Sequence, residues 1–476
     1  MTTPSLELRR SLPRNGRLAA LIVLTTLLAG CGQRIEGESA VSPGPLDRVM
    51  AAAAADTYTY ALLSELCDTV GERLAGSEGM KRAVAWSRAA MIEAGCDSVW
   101  TEPVTVPHWT RGREWARCLG PVAFDLEMCG LGLSVGTGPE GIEGEVLAVR
   151  DFEELEARAD EAAGRIVLFD PPWEGYGKTV QYRVNGASRA AAHGAVACLI
   201  RSVTDHSLGA PHTGVMRYAE DVPRIPAAAL TVEDAARLSS MCRRGMRPRV
   251  KLSMEAELHG ETTCYNVIGD IRGTELPEEI VLVSGHLDSW DLGPNAHDDG
   301  AGCALALGSA ALLLKHDMRP RRTIRIVHFT SEEFGGHGGR AYLEAHRHEL
   351  DHHVLAIESD SGAFAPRGFS VQADSTVVAA IADLTAPLAR LAPDRWQVEP
   401  GGSGVDIGPI VRAGVPGVGH RVEHELYFSY HHSRADSFDK IDRGDLALNV
   451  AAIAGLVLAV ADDPVTLRPH AAPGGE

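Results

Sequence analysis

The chain has 476 residues, with 45 Lys and Arg against 64 Asp and Glu, and so a formal net charge of −19. At roughly 100–200 residues per domain, this leaves room for about two to four domains and a large core. A content of 45% hydrophobic and 23% charged residues excludes wholesale disorder and is too polar for a protein of many membrane spans. The acidity excludes nucleic acid as a partner, because a phosphate backbone is bound by a basic surface.

Only one stretch reads as a membrane segment, at the extreme N-terminus. Arg9, Arg10, Arg14 and Arg17 precede an apolar run, Leu18–Leu28, which is far shorter than the ~20 residues that span a bilayer and so reads as a signal segment. It ends Leu28-Ala29-Gly30-Cys31, which resembles a bacterial lipobox. That resemblance implies cleavage before Cys31, a lipid on its sulfur, and a mature chain anchored in the bacterial cell envelope. Gly32 in place of Asp points to the outer membrane, facing the periplasm or the exterior. The nine cysteines include no Cys-x-x-Cys pair, so a thiolate zinc site is not expected. Cys198 and Cys303 sit in apolar runs and read as small buried residues.

A Gly/Ser/Pro-rich linker is expected over 32–46, then helices over 47–68 and 79–95 and a strand near 98–105. From 113 to 262 the texture changes to short strands, among them 144–149, 165–169 and 195–200, with one helix at 186–194. This reads as a β-rich domain inserted after a first segment, 47–112, of the main domain. From 263 to 464 strand and helix alternate. Strands are expected at 265–271, 280–284, 323–330 and 354–358, and helices at 301–316, 338–347, 374–392 and 444–461. Val281-Leu282-Val283 and Ile324–Val327 are apolar without alternation, as strands covered on both faces are. The fold class is therefore α/β, a three-layer α/β/α domain around a mixed sheet. The tail over 465–476 reads as disordered.

Most of the chemistry-bearing clusters fall just past strand ends, where open α/β sheets place their sites. They are Gly285-His286-Leu287-Asp288, His297-Asp298-Asp299-Gly300, Ser331-Glu332-Glu333, Glu358-Ser359-Asp360 and His431-His432-Ser433. Imidazoles and carboxylates suit zinc. With His286, Asp298, Glu333, Asp360 and His432 as ligands, three carboxylates face neutral imidazoles. One Zn²⁺ leaves a negative charge, whereas two leave a positive one that a hydroxide balances, so the set suits two metals. Asp298 is the natural bridge, since one carboxylate spans metals ~3.5–4 Å apart. Asp288 is placed to orient His286, and Asp436 to support His432 in the same way. Glu332 is placed to take a proton from the attacking water and give it to the leaving amine. His297, His337 and His431 compete for ligand positions, and His420 and His424 are candidates to line the site. Each residue alone reads as a solvated acid or a structural histidine; their joint occurrence in order argues for one site.

These motifs resemble the co-catalytic zinc aminopeptidase/carboxypeptidase Q family of metallopeptidases. The likeness rests on Gly285-His286-Leu287-Asp288-Ser289-Trp290-Asp291, Asp298-Asp299-Gly300, Glu332-Glu333, Glu358-Ser359-Asp360 and His431-His432-Ser433, and it extends over about residues 47–462. It implies one zinc on His286 and Asp360, another on Glu333 and His432, Asp298 between them, Glu332 as general acid and base, and a cis peptide at Asp298–Asp299. The middle block resembles the protease-associated domain that the family inserts. Arg434 and Ala435 depart from its last motif, which bears on substrate preference. Aminoacylase-type relatives place their extra domain between the later ligands, whereas here it precedes His286.

The reading is a dizinc exopeptidase acting on dipeptides or short peptides. Its only membrane contact is the Cys31 lipid, and a homodimer is left open. Two rivals share the architecture: a single-zinc glutaminyl cyclase, and a non-catalytic binding protein of the transferrin-receptor type. The full ligand set with Glu332 speaks against both.

Overall fold

In the computed structural model, which describes residues 43–464 and Leu467, two mixed eight-stranded sheets carry the chain. The expected signal segment, Cys31, the linker up to residue 42 and the tail past 464 other than Leu467 lie outside the described residues. The first sheet opens with β1 (Ser98–Thr110). The second holds β2 (Glu114–Gly120), β3 (Phe124–Leu126), β4 (Met128–Gly130), β5 (Ile142–Val149), β6 (Ile166–Phe169), β7 (Ala197–Arg201), β8 (Ala227–Leu230) and β9 (Arg249–Met254). The first then resumes with β10 (Glu257–Ile271), β11 (Leu276–His286), β12 (Arg322–Phe329), β13 (His353–Glu358), β14 (Pro366–Gln372), β15 (Gln397–Pro400) and β16 (Gly417–Val422). Across the first sheet the order is β1-β10-β12-β11-β13-β16-β14-β15, and across the second β3-β2-β9-β5-β6-β7-β8-β4. The mixed α/β architecture is the one expected.

The apolar runs form the centre of the first sheet, with β12, β11 and β13 parallel neighbours. Successive side chains point to opposite faces. Val281, Val283, Ile324, Ile326 and Ile357 enter one core, and Ile280, Leu282, Val327, Phe329 and Ala356 the other. Burying each large side chain contributes ~1.5–3 kcal/mol, so both faces need cover. Helices Ala301–Lys315 and Arg443–Asp462 supply it on the first face, and His337–His346 with Gly408–Arg412 on the second. Arg443–Asp462 has the length and hydropathy of a membrane span, so the N-terminal run is not the one stretch of the chain that reads as a membrane segment. It is apolar all round because it lies inside the protein, with Val450, Ile453 and Leu456 fully buried.

Several elements differ from expectation. The helix expected over 47–68 is two, Pro45–Ala54 and Tyr58–Glu65, followed by a wide turn at Leu66–Val70. Asp56 separates them, its carboxylate accepting the Tyr58 and Thr59 amides at 3.1 and 3.0 Å and so starting a new helix. The helix over 374–392 ends at Thr385, where Pro387 brings in a tighter 3₁₀ turn. The middle block holds the second eight-stranded sheet, with more helix than the single one expected at 186–194. Its strands β5, β6, β7 and β8 are parallel, and parallel neighbours need crossovers, here by Phe152–Ala157, Ala159–Ala162 and Tyr176–Ala192. The block leaves and rejoins the first sheet along the antiparallel pair β1–β10, which meets at Thr110↔Glu257. The boundary expected at 262 therefore falls inside β10. All eight described cysteines are free thiols, and Cys198 and Cys303 are buried as expected.

Candidate metal centre and active site

Parallel β11, β12 and β13 end side by side, and three ligand-type residues follow from that. His286 is the last residue of β11, Glu333 lies in the turn after β12, and Asp360 stands just past β13. Asp298 comes from the turn Ala296–Gly300 that opens helix Ala301–Lys315, and the Asp298–Asp299 peptide is cis. His432 follows the short helix Tyr427–Tyr430 and carries a φ of 61°, a left-handed conformation that is uncommon for a side chain of this size.

All five side chains converge. Asp298 Oδ1 lies 3.2 Å from His286 Nε2, and that nitrogen lies 3.6 Å from Asp360 Oδ1. On the other side, Asp298 Oδ2 lies 3.3 Å from His432 Nε2, which is 3.0 Å from Glu333 Oε2. One carboxylate thus stands between two His–carboxylate pairs. Glu332 faces the same cavity of ≈ 300 Å³, together with Tyr176, Arg183, Tyr427 and Phe428.

Their surroundings hold them in place. Asp299 accepts the amides of His286 (3.0 Å) and Gly302 (2.8 Å). Only glycine fits at 302, since a Cβ there would lie 1.9 Å from the Ser359 carbonyl oxygen and 2.3 Å from the Asp299 carboxylate. Asp288 does orient His286, but through its backbone: the ring Nδ1 donates to the Asp288 carbonyl at 2.9 Å, whereas the carboxylate is 3.7 Å away. That carboxylate instead accepts the amides of Glu332 (3.1 Å) and Glu333 (3.2 Å). Asp436 does not support His432. It accepts the amides of His297 (2.8 Å) and Asp298 (2.9 Å), because the loop folds back over the Asp298 turn. The partner of His432 comes from the second sheet's block, with its Nδ1 3.3 Å from the Thr213 carbonyl.

Geometry sets the competing histidines apart except for His431, whose ring nitrogen lies within metal-holding distance of Asp298 and His432. His297 Nδ1 accepts the Ala363 amide while its ring stacks on Phe364. His337 pairs with Ser331, and His420 with Ser359. His424 is exposed. His431 stacks on His432 at 3.6 Å and reaches Asp298 Oδ2 at 3.6 Å, but it has no contact with Glu333 of the kind His432 makes. Arg183 and Thr213 were invisible in the sequence: an arginine on a helix and a backbone carbonyl carry no spacing signal.

The electrostatics call for cations. Burial, with Asp298 and Glu332 beside it, pushes the Glu333 carboxyl well above its usual range. Burial also pushes Glu332 up to about 8, with Asp360, Asp288 and Asp298 adding to the effect and His286 opposing it. Burial first, then His431, holds the His432 imidazole well below its ordinary value, in the neutral form a metal takes. Among the described residues no Lys or Arg pairs with Asp298, Glu333 or Asp360, and the buried Glu333 Oε1 has no hydrogen-bond partner. Buried carboxylates persist when paired or when coordinating a metal, and this donor set fits zinc.

Known proteins resemble this chain over most of its length. The profile of peptidase family M28 matches residues 266–457. Carboxypeptidase Q of Mus musculus is 41% identical over 407 residues, 85% of this chain and 86% of its own length. Carboxypeptidase Q of Homo sapiens is 40% identical over 408 residues, 86% of each chain. Among solved structures, the peptidase M28 precursor from Shewanella amazonensis SB2B superposes with a TM-score of 0.84 at 36% identity, over 89% of this chain and 97% of that one. BSAP, a zinc aminopeptidase from Bacillus subtilis, shares the fold at a TM-score of 0.65 and 20% identity, over 87% and 97%. With a carboxypeptidase Q likeness running through most of its length and a metal-competent centre at the ends of its parallel strands, the chain belongs to peptidase family M28 and is a metallopeptidase.

Proposed function

We propose that the protein is a zinc exopeptidase that works with two zinc ions and hydrolyses dipeptides or short peptides. The observation that carries this is Asp298, whose two oxygens face two separate His–carboxylate pairs, as a bridging ligand requires. His286 and Asp360 would hold one ion, and Glu333 and His432 the other. When bound, zinc supplies Lewis acidity at the scissile carbonyl and lowers the pKa of the attacking water.

The chain's own groups do the rest. Asp288 fixes the main chain of Glu332, so that its carboxyl group is presented to the cavity. Glu332 takes the proton from the attacking water and delivers it to the departing amine. It holds that proton between the two steps. The small cavity, at the low end of the ~300–1,000 Å³ typical of ligand sites, favours a short substrate. The block carrying the second sheet acts as a protease-associated-type insert, contributing Tyr176, Arg183 and Thr213 to the site. The lipobox motif supports anchoring of the mature chain through Cys31 in the bacterial envelope.

The test pairs zinc content with turnover of dipeptides, N-blocked dipeptides and aminoacyl-anilides. About two zinc ions per chain with peptide hydrolysis supports the proposal, and the blocked substrates then rank aminopeptidase against dipeptidase and carboxypeptidase. One ion with cyclisation of N-terminal Gln, or no metal and no turnover, overturns it.

A further inference from the structure

His212 lies in the loop between β7 and β8 of the inserted block, 1% exposed, and that block's own sheet holds it from behind. Its amide donates to the Ser202 hydroxyl at 2.9 Å. Ser202, buried just past β7, donates in turn to the Leu230 carbonyl of β8 at 2.6 Å. The next residue, Thr213, donates through its hydroxyl to the Gly130 carbonyl of β4 at 2.8 Å. A buried network satisfied in this way is rigid, so positions 212 and 213 move with the second sheet.

From this frame the loop reaches the segment that carries His432. The His212 ring donates from Nδ1 to the His431 carbonyl at 2.7 Å, and the Thr213 amide donates to the His432 carbonyl at 2.9 Å. A carbonyl oxygen only accepts, so Nδ1 carries the proton of the neutral ring. The buried Nε2 has no hydrogen-bond partner, which leaves the Nδ1 bond as the ring's one polar contact among the described residues. His432 depends on such support. Its φ of 61° is a left-handed conformation that persists only where the surroundings impose it, and the single helical turn Tyr427–Tyr430 ends before it. The His431 carbonyl belongs to the peptide plane before the His432 Cα, and the His432 carbonyl to the plane after it. Holding both carbonyls fixes both planes, and with them the direction in which the imidazole leaves the backbone.

We propose that His212 is a positioning residue of the metal centre. By holding the His431 carbonyl it makes the inserted block, rather than the catalytic sheet, the element that sets where the His432 imidazole stands. The block is then part of the scaffold of the metal site and not only a wall of the cleft. The proposal rests on the two-zinc reading for its metal readout, and its backbone readout is independent of that reading.

The experiment compares the zinc-loaded wild type with His212→Ala, His212→Asn and His212→Gln. Asn carries its amide nitrogen at the place of Nδ1, whereas Gln carries it one bond further out, at the place of Nε2. Losing an outer partner of a metal-binding histidine weakens metal affinity by about 10–100-fold. After dialysis, His212→Ala and His212→Gln are therefore expected to keep about one zinc ion per chain, and the wild type and His212→Asn about two. Raising free zinc by the same factor should restore turnover in the first two, with KM for the peptide unaltered. Hydrogen exchange needs no metal. In chelator-treated protein the backbone over 431–436 should exchange faster in His212→Ala and His212→Gln than in the wild type and His212→Asn. Unchanged exchange over the rest of the chain shows that the variants are folded. If His212→Asn fails as His212→Ala does, the ring acts by packing and not through its Nδ1 bond. If His212→Ala matches the wild type in zinc and in exchange, the block does not set His432. Either result overturns the proposal. A wild type that binds no zinc overturns the two-zinc reading alone, and exchange in the chelated protein then decides this proposal by itself.

Discussion

The guanidinium of Arg111 closes on both oxygens of Asp291, with Nε at 3.0 and 2.9 Å and Nη2 at 2.6 Å. Arg111 follows β1, where the chain departs for the second sheet, and Asp291 lies in the loop after His286. The same arginine donates to the Gly130 carbonyl in β4. One buried side chain therefore ties the inserted block to the loop beside the metal-facing histidine. Removing one partner of a buried pair strands the other charge. Arg111→Met is expected to lower unfolding stability by about 3 kcal/mol, the low end for buried pairs because Asp291 retains some exposure. The double variant with Asp291→Leu should recover part of the loss. Urea unfolding of the three proteins decides it, and an unchanged midpoint for Arg111→Met would refute the tie.

Glu332→Gln keeps the shape of the side chain but can no longer hold or release the proton. The expected result is a fall in kcat of about 10²–10⁴-fold with zinc content unchanged. A variant that loses metal along with activity would place Glu332 among the ligands instead.

The metal ligands should separate by stoichiometry. Asp360→Asn is expected to reduce zinc from about two ions per chain to about one, and Asp298→Ala to reduce it to about none, because Asp298 touches both lobes. Elemental analysis after dialysis measures this directly. Equal losses from the two variants would contradict a shared carboxylate.

Removing the metal should also cost stability. Asp298 and Glu333 are buried and Asp360 is half-buried beside them, and among the described residues no Lys or Arg pairs with any of the three, so a chelator leaves them facing one another. Metal at about 1,000 times its dissociation constant contributes about 4 kcal/mol to the folded state. A chelator should lower Tm and added zinc restore it; an unaltered Tm would speak against a metal bound here.

Away from the site, His346 sits between Glu102 (2.9 Å) and Glu349 (2.6 Å). Burial works to lower its pKa, but the two carboxylates prevail and raise it to about 9. A folded-state pKa above the unfolded value of about 6.5 means the stabilisation is complete below pH ~6.5 and is lost as the pH climbs through about 9. The full shift corresponds to about 3 kcal/mol, and solvent screening of the partly exposed carboxylates reduces the contribution to on the order of 2 kcal/mol. His346→Gln should be less stable than wild type at pH 6, and the gap should close by pH 10. A gap independent of pH would show that the histidine is not charged in the native state.

Most of the centre was readable in the chain because its ligands are local to strong signals. His286, Glu333 and Asp360 each follow an apolar run too continuous to be anything but a strand buried on both faces, and parallel strands bring their ends together. Strands β14, β15 and β16 escaped notice because Pro366, Pro400, Gly417 and Gly419 weaken their strand pattern. In the inserted block the helices beyond 186–194 escaped notice because they are short or polar-faced and their small residues mask the period. Asp56 broke a helix that its Ala-rich flanks would have continued.

The sequence by itself determined which chemistry-bearing groups stand near the strand ends: the imidazoles of His286 and His432 and the carboxyl groups of Asp298, Glu332, Glu333 and Asp360. Which group supports which was decided by tertiary structure alone. Asp436 turned to the Asp298 amide rather than to His432, the Asp288 carboxylate went to the Glu332 and Glu333 amides, and the Thr213 carbonyl came to the His432 ring from another sheet. The reason is physical. Strand ends are fixed by side-chain patterning over a few residues, but hydrogen bonds between groups 44 to 219 positions apart depend on how whole layers pack, and no local pattern encodes that distance.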